Sequence, residues 1–492
     1  MADVRAAREW LALAAVNLGN FVTPLDTGIM TVVLPTIAAD LGGLQYARLV
    51  LLIPLESLLI EAAFMPVFGR FSDAHGRKRW FVIGLCFFSL GAFLSGQSST
   101  VVELLVFRVV QALGAAFILA NGRALIADTF SPKRRGLALG LHVSTLYVAT
   151  ALGVFLTTSI VSITALVGWR YIFYVSGTIA AASIPLSVVF IKESPKTQGK
   201  RTDWLGAFFL VAALGGTLFV LTQVPQYGWG NFSVYVQDFR LPFLNIYYYL
   251  NAEVTIPLEL VGLLSLASGI LFVVTELRVQ SPIIDFGLFR RNRMFLSTNA
   301  SAFALYTAHW GTLITLSFYL EEVRHLSILA SGLLLLVEPV AVACTAVVGG
   351  LVASRTGSRD PTIVGMGIAA VALLSLATIS TTSGVLYLAF LLAVLGIGVG
   401  IFAPGNTNAN LGSVPPSDRG MANGVLGMMR FTGQSLSIAI GSYLAGDFLL
   451  GQCFGKGCTY TPGQAAGALD IYFVVGAVIA VVGIAFAYFG RD

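Results

Sequence analysis

The stretch G-R-F-S-D-A-H-G-R-K, Gly69 to Lys78, lies between two apolar runs, 48 to 68 and 80 to 97, and its reading decides the fold. Arg70, His75, Arg77, Lys78 and the adjoining Arg79 are costly to place in hydrocarbon, whereas the flanking runs are apolar and long enough to enter it. The stretch therefore reads as a tight, basic, cytoplasmic turn between two membrane helices.

Composition agrees with that reading. Of 492 residues, 57% are hydrophobic and only 11% are charged, against about a quarter charged in soluble domains. Most of the chain must then face lipid or other helices, which makes it an all-α polytopic membrane protein. The net charge of +5 does not point to nucleic acid, because the basic residues are spread over short loops and form no single patch. Arg5 and Arg8 precede an apolar run reaching about residue 38, longer than a signal-peptide core and without a small-residue cleavage pattern, so the first helix is expected to be retained. No nucleotide-binding motif, clustered metal-ligand set or nucleophile motif is present. The chain is expected to be no enzyme and to use no cofactor, a proton gradient being its natural source of energy.

Runs long enough to span, at roughly 20 residues per crossing, occur near 11 to 38, 48 to 68, 80 to 97, 101 to 127, 137 to 163 and 167 to 191. After the polar break K-E-S-P-K-T-Q-G-K-R-T-D come 204 to 224 and 256 to 277. Six more follow, near 294 to 320, 327 to 353, 361 to 381, 384 to 411, 420 to 446 and 469 to 490, for fourteen in all. With the amino terminus placed in the cytoplasm, the inner segments hold 21 Lys and Arg residues and the outer segments five. The positive-inside rule then sets both termini in the cytoplasm. G-L-V-A-S-R-T-G-S-R, Gly350 to Arg359, repeats the glycine spacing and second basic position of the 69 to 78 turn, with Ser354 in place of Asp73. Each stretch follows the second helix of a six-helix block, as in parallel-repeat transporters.

The spacing Gly-x-x-x-Asp-x-x-Gly-Arg-Lys resembles the signature loop between helices 2 and 3 of the major facilitator superfamily. L-D-T-G-I-M-T-V-V-L-P-T-I-A-A-D-L, Leu25 to Leu41, resembles the first-helix motif of its fourteen-helix drug:proton antiporter family, and R-V-V-Q-A-L-G-A-A, Arg108 to Ala116, the fourth-helix motif. S-P-I-I-D-F-G-L-F-R-R-N-R is similar to that family's link into its second half, and M-M-R-F-T-G-Q-S-L-S-I-A-I-G, Met428 to Gly441, to its penultimate core helix. The resemblance implies two six-helix bundles, 1–191 and 294–492, with a two-helix insertion and its linkers at 192–293. It also implies proton antiport, a role for Arg108 in proton coupling, and a Gly69–Lys78 loop that latches the halves in one access state. One segment departs from the pattern: T-A-L-G-V-F-L-T-T keeps Gly153 but has Val154, Thr157 and Thr158 where the family's fifth helix carries proline and paired glycines. Those residues would kink and closely pack that helix, so their replacement leaves the direction of transport open.

Ionisable residues inside spans usually face the bundle interior, and each is a functional candidate. Asp26, Glu56, Arg108, Glu338 and Arg430 fall at middle depth, where charges of both signs suggest a cavity with compensated electrostatics. Asp26 reads either as a proton-responsive carboxylate or as a structural residue, with Arg108 its counter-ion. Glu56 and Glu61 point about 140° apart on a helix, and Glu56 is the preferred cavity residue, Glu61 pairing locally or reaching the inner vestibule. Glu338 precedes Pro339, which frees a carbonyl and permits a kink. It reads as a proton or cation carrier or as half of an ion pair. His142 and His309 read as packing residues ahead of titrating ones. Gln111 lies one turn from Arg108, Gly114 admits a close neighbour, and Arg123 is expected to snorkel at the inner interface.

In the loop, Asp73 can cap the third helix or meet the amino end of a helix from the other half, while Gly69 and Gly76 shape the turn. Arg77 and Lys78 hold carboxylates and lipid headgroups. The aromatic stretch 225 to 253 is expected at the outer interface, or as a lid. Cys453 and Cys458 share an outer loop and can close a disulfide or remain free thiols. The expected protein is a monomeric transporter of the cell membrane, coupling protons to export of an amphipathic or cationic small molecule. A proton symporter or facilitator for a nutrient, and a non-transporting receptor or sensor, are the alternatives.

Overall fold

The computed structural model describes residues 2–41, 47–164, 168–194, 203–236, 239–241, 246–248, 252–380, 382–449 and 462–490. Six long helices come first: α1 (Ala2–Leu41), α2 (Ala47–His75), α3 (Arg77–Gly96), α4 (Val101–Thr129), α5 (Pro132–Thr164) and α6 (Gly168–Phe190). A pair follows, α7 (Trp204–Tyr227) and α8 (Leu258–Glu276), joined by strands. The rest comprises α9 (Phe286–Arg291), α10 (Arg293–His309), α11 (Thr312–Phe318), α12 (Ile328–Leu335), α13 (Val337–Thr356), α14 (Arg359–Leu376), α15 (Val385–Gly412), α16 (Arg419–Leu449) and α17 (Pro462–Phe489). Among the described residues, eleven helices are long and apolar enough to cross a membrane.

Small residues bring these helices together, as expected where lipid removes the hydrophobic drive for helix association. Gly84 of α3 lies against Gly114 of α4, and Gly365 of α14 against Gly398 of α15. One apolar core is built almost wholly from α10 to α17, and two others from α1 to α6 with few additions. The α7–α8 pair packs on itself and joins a further cluster with Val67 of α2 and Met421, Val425 and Met428 of α16. Much of α8 instead presents leucines outward, including Leu260, Leu263 and Leu266.

The repeated stretches take the same shape. Gly76 ends α2 with φ 110° and Gly357 ends α13 with φ 93°, a backbone region that only glycine enters freely. Each sits seven residues after a glycine that touches another helix, Gly69 against Gly420 and Gly350 against Gly136.

Two expected spans are broken. The run 294 to 320 bends between α10 and α11, where Gly311 donates its N–H to Ser437 Oγ of α16 at 2.9 Å, and it ends in a π-helical turn, Tyr319–Val323. The run 327 to 353 divides at Leu336, because Pro339 has no N–H to return to the preceding turn. Between α7 and α8 the chain forms strands. β1 (Asn231–Val236) pairs antiparallel with β4 (Ala252–Pro257), and β2 (Phe239–Leu241) with β3 (Ile246–Tyr248). N-F-S-V-Y-V and A-E-V-T-I-P are rich in β-branched and aromatic residues, which favour strands. The expectation of a plain aromatic belt missed this. Cys453 and Cys458 lie outside the described residues.

Candidate functional site

Arg108 of α4 is the centre of a polar network within the first six helices. It is 1% exposed. Its Nη1 donates to Asp26 of α1 at 2.9 Å, its Nε to Glu56 of α2 at 3.2 Å and its Nη2 to Ser57 at 2.7 Å. Gln111, one turn along α4, donates from Nε2 to Asp26 at 3.0 Å. Gly91 of α3 packs directly on the Gln111 backbone, which fixes how closely α4 is held. Phe173 of α6 lies 5.8 Å from the Arg108 guanidinium and walls the network on that side.

Local pairing therefore falls to Glu56, not to Glu61. Glu61 is 8% exposed and makes no hydrogen bond, although it lies within the electrostatic reach of Asp26 and Arg108. Three carboxylates thus surround one cation. Such a site can take up a proton or a cationic group without losing its remaining ion pair.

At the other end of α2 and α4 lies a second network. Asp73 accepts from the backbone N–H of Gly420 at 3.0 Å and of Met421 at 2.9 Å, at the first turn of α16. The N–H groups there have no partner within the helix, and the helix dipole favours an anion. Of the two roles expected for Asp73, this is the second. Arg77 donates to Asp73 at 2.8 Å, to Asp128 at the end of α4, and to the Pro416 carbonyl at 2.8 Å. Arg419 returns to Asp128 at 2.9 Å, and Arg70 pairs with Asp418 at 3.0 Å. Lys78 reaches the Val188 carbonyl at 2.7 Å, in the last turn of α6.

The second repeat builds a weaker version of this joint. Ser354 Oγ accepts from the Leu137 N–H of α5 at 3.1 Å, and Gly350 faces Gly136 and Gly140. Arg135 of α5 donates to Asn408 of α15 at 2.6 Å.

The remaining candidates do not join the Arg108 network. Glu338 is buried, with His309 Nε2 at 3.9 Å, while His309 Nδ1 meets the Leu305 carbonyl. His142 Nδ1 meets Asn17 at 2.8 Å. Arg430 donates to Thr407 of α15 at 2.7 Å and stacks over Tyr306 of α10 at 5.3 Å. Arg123 does not snorkel: it is buried and turned to Asn423 of α16. Asp26 and Glu56 thus pair with Arg108, whereas among the described residues no acid pairs with Arg430.

Ser57, Asp128, Asn423, Tyr306 and Thr407 were missed. Asp128 had a readable signal, a carboxylate at the cytoplasmic end of a predicted span, level with the basic turn. The hydroxyls had none, because Ser, Thr and Tyr are common in membrane helices.

The family model of the Major Facilitator Superfamily matches residues 16–438. Multidrug resistance protein 3 of Bacillus subtilis (strain 168) is 25% identical over 430 residues, 86% of this chain and 77% of that one. Riboflavin transporter RibZ of Clostridioides difficile (strain 630) is 25% identical over 458 residues, 92% and 90% of the two chains. Among solved structures, the proton:xylose symporter XylE bound to 6-bromo-6-deoxy-D-glucose superposes with a TM-score of 0.63 at 14% identity, covering 98% of this chain and 96% of that one.

Proposed function

The chain belongs to the Major Facilitator Superfamily and is a multi-pass membrane transporter of small molecules, not an enzyme; from that premise we propose that it is a proton-coupled secondary transporter exporting amphipathic organic molecules by antiport. The observation that carries the reading is the sharing of the buried Arg108 by Asp26 and Glu56, with Glu61 close by. A proton arriving at one carboxylate leaves Arg108 with the other, so the network changes charge without coming apart.

In this proposal the chain crosses the plasma membrane fourteen times, as halves 1–191 and 294–492 with the insertion 192–293, in the manner of the drug:proton antiporters. Both termini and the Gly69–Lys78 loop face the cytoplasm, as the excess of basic residues in those segments favours. The seams α2–α16 and α5–α13, joined through Asp73 and Ser354, are the joints that part and re-form during alternating access. A relative named for tetracenomycin C resistance and export, beside one named for multidrug resistance, supports outward transport.

A second reading has an observation of its own. α5 runs unbroken through Gly153, Val154 and Thr157, with Thr157 bonded back to the Gly153 carbonyl at 2.8 Å. A helix without the family's kink favours symport. Purified protein in sealed vesicles under an imposed pH gradient separates the readings. Antiport requires that an opposing gradient drive solute the other way and that solute release protons. Solute and protons moving together would establish symport, and no gradient-driven flux across a broad solute panel would favour a receptor.

A further inference from the structure

Two arginines in the interior lack the carboxylate that the buried Arg77 and Arg108 each have. Arg123 of α4 is 6% exposed and Arg430 of α16 is 4% exposed. Neither belongs to an ion pair among the described residues. Arg123 reaches only the Asn423 amide oxygen, at 3.5 Å, the limit of a hydrogen bond. Arg430 has the neutral Thr407 hydroxyl and the face of Tyr306. The Nε atoms of both are buried without an acceptor.

The two lie within electrostatic reach of each other. Asn423, the contact of Arg123, lies seven residues from Arg430 on α16, about two turns and hence on the same face. The ionisable side chains within electrostatic reach of Arg123 among the described residues are Arg430 and the neutral Tyr306 and Tyr147, with no acid among them. His142 on α5 feels both arginines, and its Nε2 is also buried without a partner. Five helices, α4, α5, α10, α15 and α16, thus converge donors and aromatic surface on a region where, among the described residues, no carboxylate pairs with either guanidinium, the nearby Glu338 of α13 reaching Tyr147. Holding two guanidiniums there without an anion is costly. A ligand that supplies one recovers that cost.

We propose that Arg123 and Arg430 bind an anionic group, a carboxylate, sulfonate or phosphate, carried by the transported solute, with Tyr147 and Tyr306 against its apolar part. This rests on the transport reading and makes the solute an amphipathic organic anion, where an amphipathic or cationic molecule was expected from the sequence. Arg123 and Arg430 come from helices on opposite sides of the α2–α16 seam, so one anion would bridge both.

The measurement is binding, which does not depend on coupling or direction. Fluorescein, an amphipathic anion, and rhodamine 6G, a cation of similar size, are titrated by fluorescence anisotropy against the purified full-length protein in nanodiscs. Wild type is expected to bind fluorescein in preference to rhodamine 6G. Arg123→Gln and Arg430→Gln should each weaken fluorescein binding by about tenfold or more, as for loss of a charge-assisted bond. Arg430→Lys should retain part of it, and the exposed Arg355→Gln should leave it unchanged. Thermal unfolding of each variant separates lost binding from lost folding. Failure of wild type to bind fluorescein, or equal fluorescein binding by folded Gln variants, overturns the proposal. Flux in vesicles tests the transport reading separately, so a transporter that binds only cations would sink the anion site and leave transport standing.

Discussion

Asp26 and Glu61 are both buried acids near one arginine, yet their bonding differs and so should their substitution. Asp26 accepts from Arg108 and Gln111, whereas Glu61 makes no hydrogen bond. Asp26→Asn leaves Arg108 only Glu56 as a charged partner and should lower the unfolding free energy by about 1–3 kcal/mol, part of the cost of breaking a buried pair. It should also cut gradient-driven flux by about tenfold or more, the equivalent of ~1.4 kcal/mol. Glu61→Gln removes an unpartnered buried acid and should raise the unfolding temperature. Thermal unfolding and vesicle flux check both, and wild-type flux in Asp26→Asn would leave Asp26 a packing role. Asp26 and Arg108 were legible because a charge inside an apolar run is rare. The pairing of Glu56 rather than Glu61 was not, since helical geometry gives the angle between two residues but not which one meets α4. Arg123 was misread for a related reason: six residues from the end of α4, it is near enough to snorkel, and only the position of α16 decides that it does not.

Between elements, the two repeats differ in one residue that matters. Asp73 gives the N-terminus of α16 a charged acceptor for two N–H groups, while Ser354 gives α5 a neutral acceptor for one. Asp73→Asn should therefore shift the balance of access states by about 1–2 kcal/mol, roughly five- to thirtyfold in population. Ser354→Ala should shift it by less. Distances between spin labels on α2 and α16 report the populations, and unchanged distributions in Asp73→Asn would remove the latch. The glycine spacing made the echo readable, because positive φ at Gly76 and Gly357 leaves a fixed mark in sequence. The break at Leu336 was marked by Pro339, whereas the one near Gly311 left little mark, since glycine is frequent inside unbroken membrane helices. The strands at 231–257 were hidden by the same aromatic content that suggested a belt.

For the whole molecule, composition made the membrane class plain, and basic-residue placement gives the orientation to be tested. In a cysteine-free background, an impermeant maleimide added to sealed cells should label Trp229→Cys and spare Lys133→Cys, both exposed positions. The reverse pattern would invert the topology. What sequence could not give was the sorting of charge into a mostly paired region around Arg108 and an unpaired one around Arg123 and Arg430. That sorting depends on which faces of distant helices meet, and no local spacing records it.

The α7–α8 pair has a mechanical consequence. α7 packs on both α2 and α16, so in the alternating-access proposal it straddles the line along which the molecule would divide, and it could travel with only one side. Its contacts there are apolar, and lipid chains replace apolar contacts at little cost. The bonds from Asp73 to the start of α16 are charge-assisted and directional, and lipid chains cannot replace them. In that proposal the α7–α8 pair would slide like a lubricated bearing beside the joint, and the resistance to opening would be concentrated in a few polar bonds at one end.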